Sequence, residues 1–179
     1  MSFEEKHKEG YELLHEKDLD KSLDIARRLQ KMRPEAPEGF ILEAEIMQRL
    51  NQWDASIKLL NDAIELDPES GRLFNLRGYA NLNKDDAEKA KEDFDKAIEL
   101  DDLPSAHRNL VLFMLMDGEG QEGINYLLNR IRKDPHDVEN WILMGDLMKK
   151  GGHDAKARTY YEQALKMDPD NEYVKELLK

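Results

Sequence analysis

The stretch GEGQEG, residues 118–123, has the spacing of a dinucleotide-binding loop and is the first candidate for chemistry in this chain. Such a loop must follow a strand and open a helix inside a βαβ unit, where its glycines let the backbone approach a pyrophosphate. Here a helical pattern precedes the loop, no strand pattern is found, and Glu119 and Glu122 would repel a pyrophosphate. We therefore predict that Gly118 is a turn between two helices, and we expect no nucleotide cofactor.

The other reactive side chains form neither a catalytic set nor a metal site. The five histidines lack metal-ligand spacing and belong to no His-Glu-x-x-His motif, which favours solvated or ligand-contacting roles: His7, His15, His107, His136 and His153. Acidic residues are abundant, as in 83–102 with nine acids and four bases, and such a segment is usually a solvated helix face. With no nucleophile, base and orienting group together, we predict no catalysis, no cofactor and no metal.

The composition restricts the partners and the compartment. The chain has 179 residues, 39 acidic against 27 basic, and a formal net charge of -12, so it would repel nucleic acid and anionic membranes. It has no cysteine, which excludes disulfides, zinc-thiolate sites and thiol nucleophiles. The N-terminal MSFEEKHKEG lacks the apolar region of a signal peptide, and no apolar run approaches a membrane span. We expect an acidic, soluble, cytoplasmic protein that binds neither nucleic acid nor membrane.

An internal repeat runs through the whole chain. Five segments end at the same phase of the repeat: LQKMRP, AIELDP, AIELDD, IRKDP and ALKMDP. Their last residues are separated by 34, 34, 33 and 34 residues: Pro34, Pro68, Asp102, Pro135 and Pro169. A fixed period of this length is typical of stacked helical repeats, each of which cannot bury its apolar face alone.

The last repeat shows how each one divides into two helices. Asp137 can cap the first helix, which carries Trp141, Met144, Gly145 and Met148 on one side. Gly151 and Gly152 end this helix, and a second one follows with three residues on its inner face before the proline turn: Ala157, Tyr161 and Ala164. Small residues at the contact positions allow two antiparallel helices to approach closely.

This pattern resembles the tetratricopeptide repeat, in which an aromatic, Leu-Gly, Tyr, Ala, a second aromatic, Ala and Pro recur over 34 residues. The resemblance implies an all-α, right-handed α-solenoid of five stacked helix-turn-helix repeats plus a short C-terminal capping helix. We predict a single solenoid over 1–179, with repeats at about 3–36, 37–70, 71–103, 104–137 and 138–171 and the cap at 172–179. Asp170 or Asn171 would cap the last helix.

The fourth repeat departs from the pattern in two ways. Val111 stands at a small-residue position, and Arg130 stands where alanine is expected, so Arg130 must extend outward or the repeat must be distorted. The run NLVLFMLM, residues 109–116, is apolar on nearly all sides. We expect four of its residues to face away from the groove: Leu110, Val111 and Met114 towards the partner helix, and Phe113 towards the adjoining repeat.

By resemblance, the first helix of each repeat lines a concave groove that binds partner proteins. The predicted partner-binding residues are those at the groove positions: Tyr11, Arg49, Arg72, Asn75, Tyr79, Leu82, Arg108, Leu112, Leu115, Met116 and Ile142. The arginines and the asparagine would hold carboxylates or carbonyls, the tyrosines would offer flat surfaces, and the apolar residues would bury anchors. Alternatively, the apolar groove residues bury one another where the solenoid curves tightly.

The function implied is a non-catalytic protein–protein interaction scaffold that binds a peptide or helix of an unidentified partner. Some family members bind chaperone C-terminal tails through a clamp of lysines, asparagines and an arginine, and no register of this chain supplies that set. Self-assembly through the repeat ends or the apolar groove is the alternative, so homo-oligomerisation stays open. A third hypothesis, an enzyme with an unrecognised site, has no support in the sequence.

Overall fold

The computed structural model describes all 179 residues, and its regular structure consists of eleven helices with no strand. The helices are α1 Phe3–His15, α2 Leu19–Met32, α3 Glu38–Arg49, α4 Trp53–Leu66, α5 Gly71–Asn83, α6 Ala87–Asp101, α7 Pro104–Met116, α8 Gly120–Lys133, α9 Val138–Lys150, α10 Asp154–Met167 and α11 Glu172–Leu177. The predicted all-α class is therefore confirmed. None of the helices combines the length and the hydropathy that a membrane crossing requires.

The chain divides into two compact units, Met1–Phe113 (unit 1) and Met114–Lys179 (unit 2). Unit 1 contains a first hairpin, α1–α2, a second, α3–α4, a third, α5–α6, and most of α7. Unit 2 contains the last turn of α7, the helix α8, a fifth hairpin, α9–α10, and the terminal α11. Each predicted repeat holds two of these helices, while the single domain over 1–179 stays a prediction.

Helix starts and turns recur at the same phase of the repeat. The side chain of Asp137 accepts a hydrogen bond from the backbone N–H of Glu139, as predicted, and Asn171 caps α11. The turn between the two helices of each repeat holds one residue with a positive φ, at intervals of 34, 34, 33 and 34 residues: Lys17, Asn51, Asp85, Gly118 and Gly152. The prediction of a turn at Gly118 is thus confirmed, although the first three repeats use residues for which this conformation is less favourable.

Small residues set the distance between the helices of a hairpin. A Cβ atom at Gly78 would lie 2.7 Å from the ring of Phe94, and one at Gly145 would overlap the ring of Tyr161. These rings are almost fully buried, as are the alanines that follow at the inner face of the second helix, such as Ala97. The close approach predicted at Gly145 is therefore present, and an aromatic ring fills the space opposite the glycine.

The two irregular residues of the fourth repeat each lie within an unbroken helix, Val111 in α7 and Arg130 in α8. Val111 is 4% exposed, and Arg130 is half-buried. The Nε of Arg130 donates to Oδ1 of Asn140 at 2.9 Å, and its Nη2 lies 3.5 Å from Oδ2 of Asp137. The predicted outward orientation of Arg130 is wrong, because this long side chain bonds the start of α9. Distortion of the fourth repeat stays a prediction.

Candidate functional site

Polar contacts join the first helices of unit 1 side by side. Tyr11 in α1 donates from Oη to Oε1 of Glu45 in α3 at 3.1 Å. Arg72 in α5 donates from Nη2 to both, at 2.9 Å to the tyrosine oxygen and 2.7 Å to the carboxylate. Two predicted groove residues, Tyr11 and Arg72, are thus brought together with a glutamate in one cluster across three helices.

The electrostatics of this cluster hold Tyr11 neutral. Burial, assisted by the negative charge of Glu45, raises the pKa of Tyr11 to about 12. Its hydroxyl therefore keeps its proton, donates to Glu45 and accepts from Arg72. Both protons on Nη2 of Arg72 are used inside the protein, so this arginine has its carboxylate partner already and is less suited to clamp a second one.

A second set of polar contacts continues from α3 through α5 to α7. The Nε2 of Gln48 donates to the carbonyl of Leu76 at 3.0 Å. Asn75 donates to Oγ of Ser105 at 3.1 Å and accepts from Nδ2 of Asn109 at 2.9 Å. Asn75 is 7% exposed, so its side chain stabilises the contact between helices and offers little surface to a ligand.

The predicted apolar anchors differ widely in exposure. Leu112 and Leu115 are half-buried, and Met116 is 60% exposed. Leu82 and Ile142, predicted with them, are 7% and 2% exposed, so their side chains present almost no surface. Of the four residues of α7 expected to face other helices, three are buried and Met114 is half-buried: the buried ones are Leu110, Val111 and Phe113. The residues of this one apolar run therefore differ widely in exposure.

The remaining predicted residues lie on exposed parts of unit 1. Arg49, at the end of α3, and Arg108, in α7, are exposed, and Tyr79 in α5 is 36% exposed. The polar face formed by α1, α3 and α5 thus carries arginines and tyrosines that a ligand can reach. Whether these residues bind a partner stays a prediction.

Sequence reasoning missed a buried ion pair in unit 1. Asp93 in α6 is 5% exposed and accepts from Nη2 of Arg77 at 2.6 Å and from Nδ2 of Asn81 at 2.9 Å. Arg77 also donates from Nη1 to Oδ1 of Asn61 at 2.7 Å. The group lines a cavity of about 340 Å³ with charges of both signs. The expectation of a solvated acidic face over 83–102 is therefore wrong for Asp93, which precedes the core residue Phe94 and faces α5.

One histidine also departs from expectation. His107 is 1% exposed, and its Nε2 lies 2.7 Å from Oδ1 of Asp102. It is neither solvated nor placed for a ligand, because it points into the interior beside the turn between α6 and α7. A lone histidine in the sequence carries no signal that distinguishes these two environments.

Helix hairpins of one length, with small residues at their contacts and a repeated turn, define a helical repeat protein. Models of the Tetratricopeptide repeat match residues 41–103 and 138–171. The chain therefore belongs to the tetratricopeptide repeat family, as its sequence pattern indicates.

Similar proteins agree with this assignment. The chain is 23% identical over 160 residues to the General transcriptional corepressor ssn6 of Schizosaccharomyces pombe, a match that covers 89% of this chain and 12% of that protein. It is 25% identical over 162 residues to the human Mitochondrial import receptor subunit TOM70, covering 86% of this chain and 26% of the receptor. The chain thus spans a small share of these relatives.

Among solved structures, the thermophilic TPR protein TTC0263 of Thermus thermophilus superposes with a TM-score of 0.77 at 16% identity, over 97% of this chain and 95% of that one. At this identity the likeness shows the fold alone, which is that of a tetratricopeptide repeat solenoid.

Proposed function

We propose that this chain is a non-catalytic protein–protein interaction module that holds a peptide or helix of a partner against unit 1. The binding face consists of the exposed or half-buried groove positions of α1, α3, α5 and α7 in that unit: Tyr11, Arg49, Arg72, Tyr79, Arg108 and Leu112. Tetratricopeptide repeats generally mediate protein–protein interaction, which supports the class of function. The observation that carries the proposal is the Tyr11–Glu45–Arg72 cluster, which fixes three neighbouring helices into one polar face.

The chemistry of the face favours a particular kind of ligand. Arginines and tyrosines are the residues most enriched in the energetic centres of interfaces, and here they stand on helices that are already ordered. Arg49 is exposed and forms no ion pair, so it favours a ligand carboxylate, whereas Glu45 neutralises Arg72. Leu112 would contact an apolar anchor. A role for Leu115 and Met116 stays a prediction.

The proposal can be tested by selecting binders from a displayed peptide library with the full chain. Selected peptides are then measured by calorimetry against Leu112→Glu and against Leu66→Glu, which alters a leucine that is 38% exposed on α4. We expect Leu112→Glu to weaken binding at least about tenfold, because it places a charge opposite an apolar anchor. Leu66→Glu should have no effect.

Equal affinity of the parent and Leu112→Glu for every selected peptide, together with insensitivity to Arg49→Ala and Arg72→Ala, would contradict the proposed face. The same chain is followed by sedimentation velocity over a range of concentrations. Growth of a defined oligomer that the Leu112→Glu variant abolishes would instead support self-assembly as the function of this face.

A further inference from the structure

The two tryptophans of the chain each form a pair with a tyrosine of a neighbouring helix. Trp53 at the start of α4 and Tyr79 in α5 have ring centroids 6.1 Å apart and an interplanar angle of 77°. Trp141 in α9 and Tyr160 in α10 have the same centroid distance and an angle of 35°. Both indoles are half-buried. The pairs, one in unit 1 and one in unit 2, therefore share a ring separation and differ in ring angle.

The pairs differ in what their polar atoms bind. The indole N–H of Trp141 donates to the carbonyl of Pro135 at 2.9 Å. The indole N–H of Trp53 and the hydroxyl of Tyr79 make no hydrogen bond within the protein. An indole N–H can only donate, and a partly buried tryptophan usually finds an acceptor. The Trp53–Tyr79 pair is thus the counterpart of the Trp141–Tyr160 pair in ring separation but lacks the carbonyl.

Close to Trp53 in sequence are an exposed leucine and an exposed arginine without an ion pair. Leu50, three residues before Trp53, is 42% exposed, and Tyr79 is 36% exposed. Arg49 is exposed and forms no ion pair, whereas the neighbouring acid Asp54 is paired with Lys84. We call Arg49, Leu50, Trp53 and Tyr79 the aromatic patch. The aromatic patch offers hydrogen-bond donors and one positive charge.

We infer that the aromatic patch binds a proline-rich, acidic segment of the partner protein. This inference rests on the proposed function and names the class of ligand. A proline-rich segment presents carbonyl acceptors but few N–H donors, which complements the N–H of Trp53, the O–H of Tyr79 and the guanidinium of Arg49. Its extended polyproline II conformation is already ordered, so aromatic surfaces bind it at a low entropic cost.

Two further observations match this ligand. The Trp141–Pro135 contact shows, within the same chain, an indole beside a tyrosine donating to a prolyl carbonyl. Charge complementarity with a negatively charged segment comes from the guanidinium of Arg49, which is exposed and forms no ion pair.

The test uses the full chain and a fluorescently labelled peptide of about ten residues, with two Pro-Pro pairs around a leucine and a glutamate at each end. Two matched peptides have every proline replaced by alanine or both glutamates by lysine. We expect saturable binding of the first peptide, and losses of at least about tenfold for each of the other two. Equal binding of the alanine peptide would overturn the requirement for proline.

Variants locate the binding on the protein. Trp53→Ala should weaken binding about thirtyfold, as truncation of a central aromatic does, and Trp53→Phe about fivefold, because it keeps a ring but removes the N–H. Trp141→Phe is the matched control and should not change the affinity. Thermal melts of each variant show whether it folds, and Trp53→Phe keeps the test valid if Trp53→Ala unfolds.

The outcomes separate this inference from the proposed function. Failure of the proline-rich peptide to bind, or binding that is unaffected by Trp53→Phe and Arg49→Ala, would overturn the inference. If library peptides bind through Leu112 and Arg72 while the proline-rich peptide does not bind, the proposed function stands and the ligand class is wrong. If no peptide binds unit 1 at all, both fail.

Discussion

The third and fifth hairpins solve the same packing problem in the same way. In each, a glycine of the first helix lies directly against an aromatic ring of the second, Gly78 against Phe94 and Gly145 against Tyr161. Neither glycine could carry a Cβ without moving the ring. In these two hairpins the glycine fixes the distance between the helices, while other positions of the repeat vary.

The polar residues around this common contact differ. The third hairpin buries Asp93 with Arg77, which bonds α5 to α6 within the hairpin. In the fifth, the hydroxyl of Tyr161 donates to Oδ1 of Asp146 at 2.7 Å, and this carboxylate also accepts from Tyr173 of α11 at 3.3 Å. The first arrangement stabilises the hairpin itself, while the second also fastens the terminal helix to it.

The largest effect is expected from breaking the buried ion pair of the third hairpin. Asp93→Ala leaves the guanidinium of Arg77 half-buried without its carboxylate and should lower the free energy of unfolding by about 3–5 kcal/mol. Asp95→Ala, which removes an exposed carboxylate from the same helix, should cost about 0.5 kcal/mol or less. Urea denaturation measures both, and equal costs would show that Asp93 is not buried as described.

The double variant Arg77→Met with Asp93→Leu sharpens this result. Replacing both charges by apolar side chains of similar size should restore most of the lost stability, since desolvation of the ion pair is costly. A double variant as unstable as Asp93→Ala would indicate that the loss comes from packing and not from the unpaired charge.

The next effect tests the contact that the two hairpins share. Gly78→Ala and Gly145→Ala should each lower the free energy of unfolding by about 1–3 kcal/mol, because the added methyl group overpacks against a buried ring. Gly151→Ala, in a turn where a Cβ would meet only ordinary contacts, is the control and should cost less than either. A melting curve unchanged by Gly145→Ala would contradict the close approach in the fifth hairpin.

A smaller effect distinguishes the polar ends of the two aromatic residues. Tyr161→Phe gives the fifth hairpin the ring that the third already has and removes one hydrogen bond to Asp146, at a cost of about 1 kcal/mol. Proteolysis of α11 should become faster in Tyr173→Phe, because Tyr173 bonds the same carboxylate. The reverse substitution in the third hairpin, Phe94→Tyr, should not stabilise that hairpin.

The smallest effect appears only at alkaline pH. Burial, together with the hydrogen bond to Asp146, raises the pKa of Tyr161 above its ordinary value of 10.0. As the pH rises through 10, the tyrosine of the unfolded chain releases its proton first. The contribution of Tyr161 to the free energy of unfolding is therefore complete below that pH and is lost progressively above it. The melting temperature of the parent should therefore fall more steeply above pH 10 than that of Tyr161→Phe.

Much of the candidate face could be predicted from the repeat, and part of it could not. The period places Tyr11 and Arg72 at groove positions, and the structure brings both onto one face. Exposure at such positions depends on the neighbours that each side chain meets, so Leu82 is buried where Tyr79, three residues earlier on the same helix, is accessible. The sequence pattern predicts the position of a residue within the repeat, but it does not predict the size of the side chains that pack against it.

The sequence by itself determined the period of the repeat, its division into two helices, the close contact at Gly145 and the turn at Gly118, because these depend on local periodicity and on residues a few positions apart. Only the tertiary structure decided that Arg130 bonds Asn140, that Asp93 is buried with Arg77, and that Trp53 keeps an unused donor where Trp141 does not. These outcomes depend on side chains from different helices meeting at a given distance and orientation, and the burial and hydrogen bonding of each group follow from that meeting.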